Sequence, residues 1–132
     1  ALLKSMDFTH SAHNVGHYSP GERMEASKAR DKMHSTLLAG FIDKLKAAKE
    51  ADGSSLFDHT SLAFGSNISS IHYLDNCPTI LAGGGANLKL GQHLVLPKDT
   101  PLCNVWLTVL QGMGIDAERH GDSSGVVKEL QA

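Results

Sequence analysis

The strongest pattern of apolar and polar positions is helical and runs from Pro20 to Ala51. Ser19-Pro20-Gly21-Glu22 has the form of a capping box at its start, and Asp52-Gly53 is a typical helix stop. Apolar residues recur three and four positions apart, which places them on one helix face. They are Met33, Leu37, Leu38, Phe41, Ile42 and Leu45. The pattern predicts a helix over residues 20–51 with this face buried.

Two short apolar runs, at residues 60–65 and 79–83, have the length of strands. Because neither run alternates with polar residues, both fit central strands of a sheet that is covered on both faces. Residues 86–96 alternate better and predict a hairpin or an edge ribbon, and Thr100-Pro101 opens a second predicted helix that ends at Gly112 or Gly114. The order predicts an α/β fold in which the long helix packs on the sheet.

Size and charge narrow the classes of protein. A chain of 132 residues with 41% apolar residues is long enough for one domain with its own core. A net charge of −2 argues against a nucleic-acid partner, and no stretch approaches the roughly 18 apolar residues of a membrane span. The chain begins Ala1-Leu2-Leu3-Lys4, and its first eighteen residues show no helix start or strand of their own. We therefore interpret residues 1–132 as a single domain that is the C-terminal part of a larger one.

Two cysteines, Cys77 and Cys103, are too few for a disulfide scaffold and wrongly spaced for a zinc knuckle. We expect two half-buried, unpaired thiols. A disulfide between them is the alternative if the protein lies in an oxidising compartment.

The stretch THSAHNVGH, Thr9–His17, carries the most suggestive chemistry. With Asp7 it provides a carboxylate and three imidazoles, from His10, His13 and His17. Neutral imidazoles bind zinc and similar ions, although this stretch lacks the fixed geometry of a helical HExxH motif. A solvated polar loop is the alternative. His72, after the first predicted strand, reaches the same region if both loops lie at one sheet edge.

Two other motifs fail in their context. The triple glycine of AGGGAN is followed by neither Lys-Ser/Thr nor a helix start, so it predicts a turn with positive φ rather than a phosphate loop. GDSSG resembles a serine-protease nucleophile motif, but the chain is too short for a two-barrel protease. It predicts a turn in which Asp122 and Ser123 bond their own backbone.

Several segments, taken in order and spacing, resemble one family over Thr9–Gly125. They are HSAH, FIDKLKAAKEADGSSLFDHTSLAFGS, the later His72, CPTILAGGGANLKLGQHL, TPLCNVWLTVLQGMGI and HGDSSG. Together they resemble the C-terminal part of a domain-of-unknown-function family of uncharacterised secreted bacterial proteins, common in planctomycetes. That family is similar in fold to the alkaline phosphatases and sulfatases.

The resemblance implies a three-layer α/β/α alkaline-phosphatase-like sheet, of which this chain is the C-terminal portion. It implies metal ligands on loops at the carboxyl ends of the central strands. By position, Asp7, His10, His13 and His72 match the ligands of a divalent metal ion such as zinc. The nucleophile would lie in the missing N-terminal part of the same protein, and the location would be secreted or periplasmic.

The sequence departs from those enzymes at Gly65-Ser66-Asn67, where they have Asp-His. This departure removes part of a metal site, and a two-metal mechanism needs both ions held. One hypothesis is a metal-dependent hydrolase of phosphate or sulfate esters, with a small-molecule or polymer substrate. The alternative is a non-catalytic relative that serves as an exported binding or cell-surface protein. The metal content of the purified protein separates the two.

Overall fold

A computed structural model describes residues 2–17, 19–66, 68–69 and 71–132. Its helices are α1 (Leu2–Ser5), α2 (Ala12–Gly16), α3 (Glu22–Ala47) and α4 (Cys103–Gly112), its strands are β1 (Leu62–Gly65) and β2 (Thr79–Ala82), and 3-10 helices span Leu56–His59 and Lys128–Leu130. The chain forms two compact units. The first unit comprises residues 1–43 and 66–78, and the second unit comprises residues 44–65 and 79–132.

The prediction of a three-layer α/β/α sheet is wrong. Within the described residues the sheet has two strands, β1 and β2, which pair antiparallel with Leu62 opposite Ala82. Parallel strands covered by helices on both faces need crossover connections, and these strands form no such layer. The apolar runs mislead because exposed strand positions also hold apolar side chains, as Ala63 and Ile80 show.

The predicted long helix exists as α3, but its predicted apolar face is not buried. Leu37 is 62% exposed and Phe41 is 48% exposed. The other four members of the face, Met33, Leu38, Ile42 and Leu45, are only half-buried. The physical reason is that α3 packs near its start, where the fully buried Ala26 contacts a core formed with Leu3 and Val15. Periodicity identified the helix, but the packed part of the helix lies outside the predicted face.

The core of the first unit joins the three N-terminal helices. Leu3 from α1, Val15 from α2 and Ala26 from α3 are buried together, and Phe8 packs against them. The hydroxyl of Ser11 accepts a hydrogen bond from the Asn14 N–H at 3.2 Å and caps the start of α2. The expectation that the first eighteen residues hold no helix is therefore wrong, because α1 and α2 are too short for a periodic pattern to reveal.

The core of the second unit surrounds α4, which lies close to its predicted bounds. Its buried members are Val105, Val127 and Leu130, and the half-buried residues packed on them include Leu81, Leu88, Leu94, Leu96, Leu102 and Trp106. Residues 86–96 do not form the predicted hairpin or edge ribbon. Instead, Leu88 makes an isolated antiparallel bridge with Gln131, and Leu88, Leu94 and Leu96 pack on this core from an irregular segment, whereas Leu90 is exposed.

The triple glycine is a packing contact as well as a turn. Gly83 has a φ of +87°, as the predicted turn requires. A Cβ at Gly83 would overlap the carbonyl oxygen of Thr60, and a Cβ at Gly84 would overlap that of Asp58. The glycines therefore allow two backbone segments to touch. In GDSSG, the buried Ser123 accepts a hydrogen bond from the backbone N–H of His120 at 2.9 Å, which closes a turn.

The two cysteines, Cys77 and Cys103, are unpaired thiols, and each is partly exposed.

Thr108 joins α4 to the C-terminal segment and supports a prediction about stability. Its side chain is 1% exposed, donates to the Asn104 carbonyl at 2.7 Å and accepts from the Val127 N–H at 2.8 Å. Thr108→Val keeps the shape but leaves a buried N–H without an acceptor. We expect the free energy of unfolding to fall by about 1–3 kcal/mol, measured in urea by Trp106 fluorescence.

Thr36→Val is the matched control for that change. The Thr36 hydroxyl also bonds the carbonyl four residues earlier, that of Lys32, at 2.9 Å, but on an exposed part of α3. We expect the free energy of unfolding to change by no more than about 0.5 kcal/mol. Far-UV circular dichroism in urea measures it, because Thr36 lies in the first unit and Trp106 in the second. Equal losses in both variants would contradict the role given to Thr108.

Candidate metal site

Three histidines come together within the first unit. One ring nitrogen from each of His13, His17 and His72 lies within 4.8 Å of the other two. The ring centroids are 4.6 Å apart for His13 and His17, 5.5 Å for His13 and His72, and 4.9 Å for His17 and His72. The Nε2 atoms of His17 and His72 are 3.0 Å apart, so one of them donates a proton to the other. These residues form the histidine cluster.

Helix α2 presents two members of the histidine cluster from one side. His13 lies inside the helix, and His17 is its C-cap, whose backbone N–H bonds the Asn14 carbonyl at 3.2 Å. Residues four apart lie on the same side of a helix. Val15, which is 1% exposed, anchors the same short helix in the core. A turn of only five residues is thus held in place by packing, and it carries both imidazoles with it.

The third imidazole comes from an irregular segment with unusual backbone angles. Ile71 has a φ of 46° and His72 a φ of 68°. A left-handed conformation is an outlier for a β-branched residue and costs about 1–2 kcal/mol. The segment is closed by the Ser69 N–H, which donates to the Tyr73 carbonyl at 2.9 Å, and by the Ser69 hydroxyl, which donates to Asp75 at 3.0 Å. Strain of this kind is concentrated at functional sites.

The surroundings of His17 favour its neutral form. Partial burial lowers the pKa of His17, and its neighbours His13, His72 and Arg23 lower it further, because a positive charge on any of them would repel the protonated imidazole. A neutral imidazole is the form that binds a metal ion. Three protonated rings this close would repel one another, whereas three neutral rings can bind one shared ion.

The structure brings together only some of the ligands predicted from the sequence. His13 and His72 are in the histidine cluster. His10 instead faces Glu22, with its Nε2 3.4 Å from a carboxylate oxygen, and Asp7 lies in the turn after α1. His17 was named among the imidazoles of Thr9–His17, but the ligand set implied by the resemblance did not include it. Its spacing from His13 is one helical turn, and that spacing indicates a shared side only once α2 is known to be a helix.

These histidines were predicted to lie at the carboxyl edge of a three-layer sheet, and the described residues contain no such sheet, only the antiparallel pair β1 and β2. His13 and His17 belong to α2, and His72 belongs to the connection between antiparallel strands. Gly65-Ser66-Asn67 stands where phosphatases and sulfatases have Asp-His. Gly65 ends β1, and the Ser66 hydroxyl accepts a hydrogen bond from the Ile68 N–H at 3.1 Å. Asn67 lies outside the described residues.

A cavity of about 480 Å³ adjoins the histidine cluster inside the first unit. All three imidazoles line it, together with the cationic Lys28 and Arg30 and the anionic Asp31. Its apolar lining comes from Val15, Met24, Ile68 and Ile71. A ligand in this cavity would therefore meet imidazole, cationic and apolar groups at once.

A second polar cluster, in the second unit, does not have the arrangement of a nucleophile and base. The Ser54 hydroxyl bonds Asp52 at 2.5 Å and His59 Nε2 at 2.7 Å. Hydrogen bonds from the Ser54 hydroxyl and the Ser54 backbone N–H lower the pKa of Asp52, which stays ionised and accepts the hydroxyl proton. Because the hydroxyl has one proton, His59 must donate to it. A base would have to accept that proton instead.

Comparison of the chain with protein-family models, with curated proteins and with solved structures finds no match. Among the helices of the described residues, none combines the length and apolar character required to cross a membrane.

Proposed function

We propose that the chain carries the metal centre of a metal-dependent hydrolase of phosphate or sulfate esters, in which His13, His17 and His72 hold one divalent ion such as zinc. The observation that carries the proposal is the convergence of three ring nitrogens within 4.8 Å. The proposal replaces His10 and Asp7 with His17 in the ligand set predicted from the sequence.

The spacing of the three nitrogens suits one ion. Zinc binds imidazole nitrogen at about 2.0–2.1 Å, so two nitrogens of a tetrahedral site lie about 3.3 Å apart. The largest separation in the histidine cluster, 4.8 Å, exceeds this value by an amount that rotation of side chains can close. His13 and His72 are exposed, so their rings have room to rotate.

Three protein ligands are typical of catalytic zinc sites, whereas structural sites have four. A divalent ion held by the three imidazoles would keep a fourth position for water, would lower the pKa of that water to about 7 and would polarise a phosphoryl oxygen. Lys28 and Arg30 in the adjoining cavity are suited to the negative charge of a phosphate or sulfate ester. These features together support hydrolysis of an anionic ester.

A non-catalytic, exported binding or cell-surface protein is the second candidate. It is favoured by the presence of a single histidine cluster among the described residues. A two-metal mechanism of the alkaline phosphatase kind requires two neighbouring ions, so the described residues support one ion at most.

Metal stoichiometry and hydrolysis, measured on one preparation, test the proposal. The metal-free protein is titrated with Zn²⁺ against a chromophoric chelator at about pH 7.5, where imidazoles are mostly neutral. We expect one ion per chain, together with zinc-dependent hydrolysis of p-nitrophenyl phosphate or p-nitrophenyl sulfate. One bound ion with no hydrolysis of either ester would support the non-catalytic candidate. Failure to bind Zn²⁺ would refute the metal centre and favour the non-catalytic candidate.

A further inference from the structure

The cavity beside the histidine cluster combines one well-held cation with exposed apolar side chains. Arg30 and Lys28 are its cationic residues, and Ile68 and Ile71 are apolar residues on its wall. Isoleucine side chains would make no favourable contact with a bare inorganic anion, and a guanidinium would find no hydrogen-bond acceptor on an apolar molecule. The combination indicates a ligand with both kinds of group.

Arg30 is better placed than Lys28 to recognise an anion. Its side chain is 24% exposed, its Nε donates to Asp31 at 3.1 Å and one Nη donates to the Ser27 hydroxyl at 3.3 Å. A guanidinium has five N–H donors, so donors remain after these two bonds. Its planar fork matches the oxygens of phosphate or sulfate, and holding it in advance reduces the entropy lost on binding.

Lys28 contributes less to recognition. Its ammonium pairs with Glu25 at 2.9 Å, and its side chain is 62% exposed, so water screens its charge. Asp31 also offsets the charge of Arg30. An anion would therefore be recognised through directed hydrogen bonds from Arg30 more than through net charge.

The apolar part of the wall remains open to solvent. Ile68 is 37% exposed and Ile71 is 46% exposed. Ile71, immediately before His72 of the histidine cluster, has a left-handed φ of 46°. This backbone conformation is unfavourable for a β-branched residue. A strained isoleucine next to a cluster histidine presents apolar surface that an incoming ligand can cover.

We propose that this cavity binds an amphipathic oxyanion, an aryl or alkyl phosphate or sulfate, with the anionic group on Arg30 and the apolar group on Ile68 and Ile71. The assignment of this ligand as a substrate rests on the proposed function, but its binding does not. The cavity distinguishes such a ligand from a polyol phosphate, which has no apolar group to bury.

Binding of three probes tests the assignment: phenyl phosphate, glycerol phosphate and inorganic phosphate, each titrated at about pH 8 and followed by NMR of the protein. The metal-free protein and the zinc-loaded protein are measured separately. We expect phenyl phosphate to bind about tenfold more tightly than glycerol phosphate, because only its ring covers the isoleucines. No difference between these two probes would overturn the apolar part of the inference.

Substitutions assign each part of the cavity to its residue. Arg30→Gln is expected to weaken binding of all three probes by about tenfold, as for a lost charged hydrogen bond. Ile71→Ser is expected to remove the preference for phenyl phosphate and leave inorganic phosphate unchanged. The matched controls are Lys32→Gln, on the same helix, and Leu74→Ser, in the same segment, because neither residue lines the cavity. Equal effects of Arg30→Gln and Lys32→Gln would overturn the role of Arg30.

The two forms of the protein separate this inference from the proposed function. An Arg30 effect in the metal-free protein, with no Zn²⁺ binding in the separate titration, would refute the metal centre and support the oxyanion site. One bound Zn²⁺ ion, with phosphate binding unaffected by Arg30→Gln in both forms, would support the metal centre and refute the oxyanion site.

Discussion

His17→Gln is expected to weaken Zn²⁺ binding by about 100-fold or more, because it removes one of three ligands. Loss of a group that merely orients a ligand already costs about 10–100-fold in affinity, so loss of the ligand itself costs at least as much. Glutamine keeps a similar size and a polar end, and His17 is only partly buried, so the packing of α2 is preserved. The measurement is competition with a chromophoric chelator at a fixed pH.

His10→Gln is the control that distinguishes the structural ligand set from the one predicted from the sequence. His10→Gln and His17→Gln each remove one histidine from residues 10–17. His10 and Asp7 lie outside the histidine cluster, and His10 faces Glu22. We expect His10→Gln and Asp7→Asn to bind Zn²⁺ within about threefold of the unaltered protein, since a surface ion pair contributes little. If His10→Gln lost as much affinity as His17→Gln, the cluster would be the wrong ligand set.

Sequence reasoning identified the region of the candidate site but not its geometry. The stretch Thr9–His17 and the distant His72 were singled out because polar residues without apolar periodicity need another explanation, and the structure does bring His13 and His72 together. Which of His10, His13 and His17 belong to the site depends on α2, because this helix places His13 and His17 on one side. A five-residue helix held by Val15 in a shared core leaves no periodic pattern in the sequence.

The fold was predictable where the signal is local and unpredictable where it depends on partners. The periodicity around α3 and the apolar run of α4 located both helices, although α3 spans Glu22–Ala47 rather than the predicted residues 20–51. Burial was not predictable, because Leu37 and Phe41 have the right spacing but remain largely exposed. Strand pairing was not predictable either. The sequences of β1 and β2 specify short strands, while their antiparallel register is a property of the pair.

The triple glycine, Gly83–Gly85, lies in close contact with the backbone of residues 57–60. The Gly84 N–H donates to the Phe57 carbonyl at 3.0 Å, and the Gly85 N–H donates to the Thr60 carbonyl at 3.1 Å. These bonds hold the glycines against the 3-10 helix Leu56–His59. In that helix the Ser55 N–H and hydroxyl bond the Asp58 carboxylate and lower the pKa of Asp58. Backbone segments this close leave no space for a side chain.

Gly84→Ala is therefore expected to lower the free energy of unfolding by about 3 kcal/mol, the upper part of the range for overpacking. The new Cβ would overlap the Asp58 carbonyl oxygen, and backbone cannot rotate away as a flexible side chain can. The second unit contains Trp106, so urea unfolding followed by tryptophan fluorescence reports on it. If the 3-10 helix is displaced, the bonds from Ser55 weaken and the pKa of Asp58 rises toward its ordinary value.

Gly40→Ala makes the same chemical change where space is open. Gly40 lies inside α3, and nothing comes within 4 Å of a Cβ built there. Alanine is the better helix former by about 0.5–1 kcal/mol, so we expect a small gain in stability, followed by far-UV circular dichroism. The opposite signs of the two effects matter more than their sizes. A Gly84→Ala protein as stable as Gly40→Ala would show that the triple glycine is an ordinary turn and not a close contact between backbones.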